Sequence, residues 1–141
     1  MNHQQLQNPF HSKRGSATVE FAVILPFFFT LIFGMVEFGR VLSVQHVVNS
    51  AAREGARVAS LPGTDNATVT VAVQNELANA GLPLDSITFD PPDITQASPN
   101  EPVTVSVIIN YSSVGWIQGY FPGLNGSSLQ GTVVMRKEGL G

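Results

Sequence analysis

Residues 21–36 read Phe-Ala-Val-Ile-Leu-Pro-Phe-Phe-Phe-Thr-Leu-Ile-Phe-Gly-Met-Val, sixteen positions without a charge, bounded by Glu20 and Glu37. Extending the stretch back to Ser16 gives 21 positions, close to the roughly 20 that cross a hydrocarbon core as a helix. Bulky aliphatic residues and five phenylalanines surround the helix axis, so no polar face remains for an amphipathic surface helix. A soluble core helix seldom carries so continuous an apolar run. The segment therefore reads as a transmembrane helix over 16–36. Lys13 and Arg14 stand just before it, and only Arg40 follows within fifteen residues. That bias places the N-terminus in the cytoplasm and the C-terminal part outside. A cleavable secretory signal fits poorly, because Glu37-Phe38-Gly39-Arg40 follows the run where an A-x-A-like site is needed.

The helical pattern continues past the apolar run. Val41, Val44, Val48, Ala51, Ala52, Gly55, Val58 and Ala59 recur at three- and four-residue steps, with Arg40, Gln45, Asn49, Arg53 and Arg57 mostly between them. An unbroken helix from about Ala17 to Ala59 would be some 65 Å long at about 1.5 Å per residue. Its second half, 37–60, is an amphipathic extension. Pro26 cannot donate to the carbonyl of Ala22 and is expected to kink the helix, which membrane spans tolerate. Ala51, Gly55 and Ala59 form a small-residue ridge that admits close approach of another element, either the chain's own sheet or a neighbouring subunit.

Length and composition bound the rest. The chain has 141 residues, 12% of them charged, 43% hydrophobic, no cysteine and a net charge of −3. That length suits one domain plus an appendage. The low charge excludes a nucleic-acid binder working through bulk positive charge, and the missing cysteine excludes disulfide scaffolds and thiolate metal sites. Residues 1–15 carry a net charge of +2 and residues 16–141 a net charge of −5. A basic head, an apolar span and a mildly acidic body form the layout of an anchored export substrate.

Beyond the long helix, Leu61-Pro62-Gly63-Thr64-Asp65-Asn66 is a break. Val69, Val73, Leu77 and Ala80, followed by Gly81, predict a second helix over about 67–80, although its β-branched start also alternates like a strand. Ser86–Phe89 is a short strand candidate stopped by Asp90-Pro91-Pro92, and Pro102–Tyr111 alternates as a strand. Ser128–Lys137 predicts another strand, paired antiparallel with 102–111 across a long connection. The expected fold is α+β: a long N-terminal helix packed on a small head with a second helix and an antiparallel sheet of about three strands. The connection holds Trp116, Tyr120, Phe121, Pro122 and Gly123. It reads as a lid over the sheet or, alternatively, as a docking surface or a dip toward the membrane interface.

Glu20 is the remaining oddity, a carboxylate one turn inside the weakly polar stretch. One reading is that it marks the true start of the span and reaches back to water. Alternatively, a cut after Gly15 would give Ser16 a new α-amine and make Glu20 the fifth residue. A carboxylate there would pair with the ammonium of an adjacent helix and set the stagger between the two. Lys13-Arg14-Gly15 followed by Ser16-Ala17-Thr18-Val19-Glu20-Phe21 resembles the type IV prepilin processing site. Val19 to Pro26, Phe33-Gly34, Glu37-Phe38-Gly39-Arg40 and Ala51-Ala52-Arg53-Glu54-Gly55-Ala56-Arg57 resemble the TadE-like pseudopilin family, with weaker similarity in the C-terminal strands.

The resemblance implies a pilin-like minor pseudopilin of the tight-adherence (Flp) pilus assembly machinery, carried in the bacterial inner membrane by a single pass. Its partners would be a membrane prepilin peptidase and other pilins or pseudopilins. Gly15 and Ser16 would flank the scissile bond and Glu20 would be the assembly carboxylate. Phe21 stands where the major Flp pilins more often have tyrosine, which points to the minor class. The implied organisation is a cleaved basic leader (1–15), the span (16–36), its amphipathic extension (37–60) and an extracytoplasmic head (61–141).

No enzyme is expected. His3, His11 and His46 lie at no ligand spacing, and no nucleophile elbow, phosphate loop or dinucleotide fingerprint occurs. Neither cofactor nor metal, nucleic acid nor small-molecule substrate is implied. The competing expectation is a signal-anchored envelope protein whose outer domain binds a partner without processing.

Overall fold

A long run of helix formers without an internal breaker other than Pro26 produces a single helix, α1, over His11–Ser60. The structure, a computed structural model, describes residues 11–115 and 126–139. The helix starts earlier than the expected Ala17, because Ser12, Lys13 and Arg14 carry no helix-breaking residue. The chain divides into two compact units at the Val36–Glu37 boundary. The amphipathic part of α1 falls in the same unit as the residues after it.

In the first unit the apolar side chains stand open: Phe21, Val23, Phe27 and Met35 are all more than three-fifths exposed. α1 is the one helix among the described residues long and apolar enough to cross a membrane. Thr30 Oγ1 donates to the carbonyl of Pro26 at 2.8 Å, one turn back. Phe29 stacks on Phe33 with ring centroids 6.2 Å apart.

The second unit is the expected α+β arrangement. After α1, the Pro62-Gly63 break is followed by α2 (Asn66–Asn79). Asp65 caps α2 by accepting from the Thr68 amide at 2.9 Å and the Thr68 hydroxyl at 2.6 Å. At the other end Gly81 adopts a left-handed φ of 69°, and the Leu82 amide reaches back to the Leu77 carbonyl at 3.0 Å. The strands β1 (Ser86–Asp90), β2 (Pro102–Asn110) and β3 (Ser128–Arg136) form one antiparallel sheet in the order β1-β2-β3. Register places Phe89 opposite Val105 and Val105 opposite Val133. A short 3-10 turn, Ile94–Gln96, is capped by Asp93, whose carboxylate accepts from the Thr95 amide at 3.0 Å. A single helical turn, α3 (Tyr111–Val114), follows β2.

Alternation assigns the two sheet faces. Val103, Val105, Val107 and Ile109 are fully buried, and Ile87, Phe89, Leu129, Val133 and Met135 pack beside them. Thr88, Thr104, Thr132 and Val134 fall on the opposite face and are half-buried to exposed, while Ser106 between Thr88 and Thr132 is buried. The buried face meets Val44, Val48, Ala51, Ala52, Ala56 and Ala59 of α1 and Val69, Val73 and Leu77 of α2. Each fully buried valine contributes about 1.5–3 kcal/mol. The C-terminal end of α1 is closed by the strand that follows it in space. Lys137 Nζ donates to the Ala59 carbonyl at 3.1 Å and the Glu138 amide to the Ser60 carbonyl at 2.7 Å. A buried ammonium at the negative end of a helix satisfies carbonyls that have no intrahelical partner.

Gly55 fixes how closely these layers approach. A Cβ there would stand 2.6 Å from Val73 Cγ2 and 3.2 Å from Val105 Cγ1. Gly55→Ala adds about 1 kcal/mol of helix propensity but overpacks the core, at a cost of about 1–3 kcal/mol. The expected net result is a lower unfolding temperature of the detergent-solubilised chain by circular dichroism. Adding Val73→Ala, which removes the clashing methyl, should make the Gly55→Ala change neutral or favourable when compared with Val73→Ala alone.

Candidate processing and assembly site

The residues singled out in the leader region lie on consecutive turns of α1. Gly15 and Ser16 are exposed, and the space around a Gly15 Cβ is empty within 4 Å. Ser16 Oγ donates to Glu20 Oε1 at 3.1 Å, the i to i+4 contact that helical geometry sets up. Glu20 is exposed, as are Val19 and Phe21 on either side. An exposed carboxylate on an otherwise apolar helix surface can accept a cationic group brought by another chain.

Pro26 lies inside α1. Ala51 and Ala59 are fully buried, and Gly55 meets Val69, Val73 and Val105. The small-residue ridge therefore contacts the chain's own α2 and β2. The Trp116–Phe121 connection lies outside the described residues.

Glu37, which bounds the apolar run and opens the Glu37–Arg40 motif, is 3% exposed. Its Oε1 accepts from the Tyr111 hydroxyl, while Oε2 is buried with no partner. Arg40, one turn on, donates through Nε to the Val114 carbonyl at 2.6 Å. Gly115 sits against the Tyr111 ring, where a Cβ would be 2.8 Å from Cζ. α1 and α3 are thus tied by two polar contacts around one buried carboxylate. Glu37 stands in register with the core-facing positions Val44, Val48, Ala51 and Gly55, and that placement was the available signal. An acid in line with a core stripe requires a buried donor, and a tyrosine ending a strong strand is a suitable one.

Removal of the Tyr111 hydroxyl and the titration of the ring are open to measurement. Tyr111→Phe leaves Glu37 without its donor, and an unsatisfied buried group costs about 1–3 kcal/mol; the unfolding temperature should fall accordingly. Burial first, and then the Glu37 carboxylate, push the Tyr111 hydroxyl up from its ordinary value to about 12. The unfolded chain loses that proton near pH 10, so between pH 10 and 12 the folded state binds more protons than the unfolded one. The stability contributed by the neutral phenol is full below pH 10 and lost as pH rises toward 12. A titration of unfolding temperature should show this decline, and Tyr111→Phe should flatten it.

At the surface, Arg57 Nη2 lies 2.6 Å from Glu54 Oε1, and this pair holds the Glu54 carboxyl below its usual range. Both side chains are substantially exposed, so the bridge adds little to stability. Among the described residues no three His, Cys, Asp or Glu side chains are grouped as a metal site.

No curated protein and no solved structure matches the chain. Residues 15–57, which include the Gly15–Ser16 bond, Glu20, the apolar run, Glu37 and Ala51 and Gly55 of the small-residue ridge, match the model of the TadE-like protein family.

Proposed function

We propose that this chain is a minor pseudopilin of a tight-adherence (Flp) pilus assembly system. The observation that carries the proposal is the exposed Gly15–Ser16–Glu20 turn at the head of an uncharged, lipid-compatible helix, within a segment that matches the TadE-like family. A prepilin peptidase cuts after Gly15, leaving Ser16 with a free α-amine. The open surroundings of Gly15 suit a protease that must approach the backbone closely. After the cut, Glu20 accepts the ammonium of a neighbouring processed helix and sets the axial stagger between them. In a low-dielectric setting, pairing offsets the desolvation that would otherwise oppose both charges.

The chain's contribution is assembly rather than catalysis. α1 offers its apolar side chains to lipid and to other helices, and the head supplies a folded body outside the membrane. The ridge of Ala51, Gly55 and Ala59 serves the head's own packing, which leaves the N-terminal part of α1 as the assembly surface.

Intact-mass spectrometry of the membrane-extracted protein, made together with a prepilin peptidase, should show a chain beginning at Ser16, fifteen residues shorter than the full sequence. Gly15→Leu should restore the mass that begins at Met1. Glu20→Ala should be trimmed normally yet fail to support piliation in cells. A chain that begins at Met1 with the peptidase present would instead favour an unprocessed, signal-anchored envelope protein.

A further inference from the structure

We propose that the cavity beside Lys137, where α1 stops within the head, is a carboxylate-binding site that takes a singly charged carboxylate on a short apolar stem. The inference goes beyond the assembly reading above and does not depend on it.

The starting point is a buried cation that the fold balances only in part. Lys137 is 7% exposed. Its Nζ donates to the Ala59 carbonyl at 3.1 Å, its only side-chain hydrogen bond among the described residues. An ammonium carries three donors. Lys137 has no ion-pair partner among the described residues either. The C-terminal end of a helix offers a partial charge of about −0.5, roughly half of what the ammonium needs. Proteins pair the charges they bury, because an unpaired one is costly to desolvate. The backbone holds Lys137 firmly in this place. Its amide donates to the Glu101 carbonyl at 2.9 Å, its carbonyl accepts from the Asn100 amide at 2.7 Å, and the next amide, of Glu138, reaches the Ser60 carbonyl at 2.7 Å. A fixed, buried and half-balanced cation calls for an anion from outside these residues.

The surroundings select the kind of anion. Lys137 lines a cavity of about 280 Å³ together with Pro62, Thr95, Ala97, Pro99 and Glu138. Pockets for drug-sized ligands run to about 300–1,000 Å³, so this one suits a small group. Pro62, Ala97 and Pro99 give apolar walls that fit methylene groups. Thr95 adds no donor, since its hydroxyl and its amide are both committed to Asp93 Oδ1, at 2.7 and 3.0 Å. One ammonium without further donors makes a poor phosphate cradle, which draws on several convergent N–H groups. Glu138 on the same cavity adds a negative charge that disfavours a doubly charged ligand. A single cation, apolar walls and a neighbouring acid together fit a monocarboxylate. Its source is either a free small acid or an aspartate or glutamate side chain of a neighbouring subunit.

The sequence has two lysines, Lys13 and Lys137, so carbon-13 at lysine Cε gives two signals in the full chain held in detergent micelles. Sodium acetate replaces sodium chloride at constant ionic strength. The Lys137 signal should shift to saturation in the millimolar range, several-fold further than the Lys13 signal, and inorganic phosphate should produce less. Equal, unsaturated drifts of both signals would overturn the site. Glu138→Gln keeps the ammonium and removes the competing charge, so it should lower the half-saturating acetate concentration several-fold; an unchanged concentration would place the carboxylate elsewhere and refute the proposal. Carbodiimide treatment of membranes carrying the chain, followed by tandem mass spectrometry, then separates the two sources. An amide bond between Lys137 and an acidic residue of another chain identifies a protein carboxylate. Saturable acetate binding without that bond identifies a free small acid.

Discussion

The close seating of α1 on α2 and β2 at Gly55 is the constraint on which the head depends. With no side chain at that position, Val69, Val73 and Val105 reach the helix backbone, and the flanking alanines complete a flat, fully buried face. A narrow contact of this kind commits the helix to one rotation about its axis. Rotation in turn decides which residues before and after Gly55 point inward, from Ala59 at one end to Glu37 at the other. Gly131 repeats the device on β3, where a Cβ would meet the Val48 carbonyl at 2.8 Å. Two glycines thus set the spacing of helix and sheet.

That rotation gives Glu37 its surroundings. Once Gly55, Ala51, Val48 and Val44 face the sheet, Glu37 falls on the same side and meets Tyr111, the residue at which β2 gives way to a turn of helix. The carboxylate is held by one donor, and Arg40 is drawn to the Val114 carbonyl. Both charges that follow the apolar run are engaged by the head, while Phe38 and Leu42 keep apolar surface open. The same helix therefore serves a dry core, a polar contact and an apolar exterior within two turns.

The leader end of α1 has the opposite character. Gly15, Ser16 and Glu20 are exposed, and Ser16 Oγ donates to Glu20 Oε1 one turn on. Exposure on consecutive turns suits the role proposed for them. A site of this kind is defined by accessibility and by spacing along one helix, whereas the Glu37 cluster is defined by residues 74 positions apart in the chain.

Local signals were enough to establish the long apolar helix, the second helix after the Pro62-Gly63 break and the alternating strand 102–110. Each depends on spacing along the chain: the 3.6 period, the period of two, and the turn residues between them. The antiparallel pairing of β2 with β3 followed from two strand candidates joined by one connection. The proposed roles of Gly15, Ser16 and Glu20 rest on the same kind of signal, since a motif on one helix is a matter of sequence separation. Tertiary structure alone decided that the Ala51–Gly55–Ala59 ridge meets the chain's own valines, that Lys137 closes the end of α1, and that Glu37 is buried against Tyr111. Those facts depend on which distant segment lands on which face. An isolated acid at the end of an apolar run reads the same in sequence whether it faces water or a tyrosine hydroxyl.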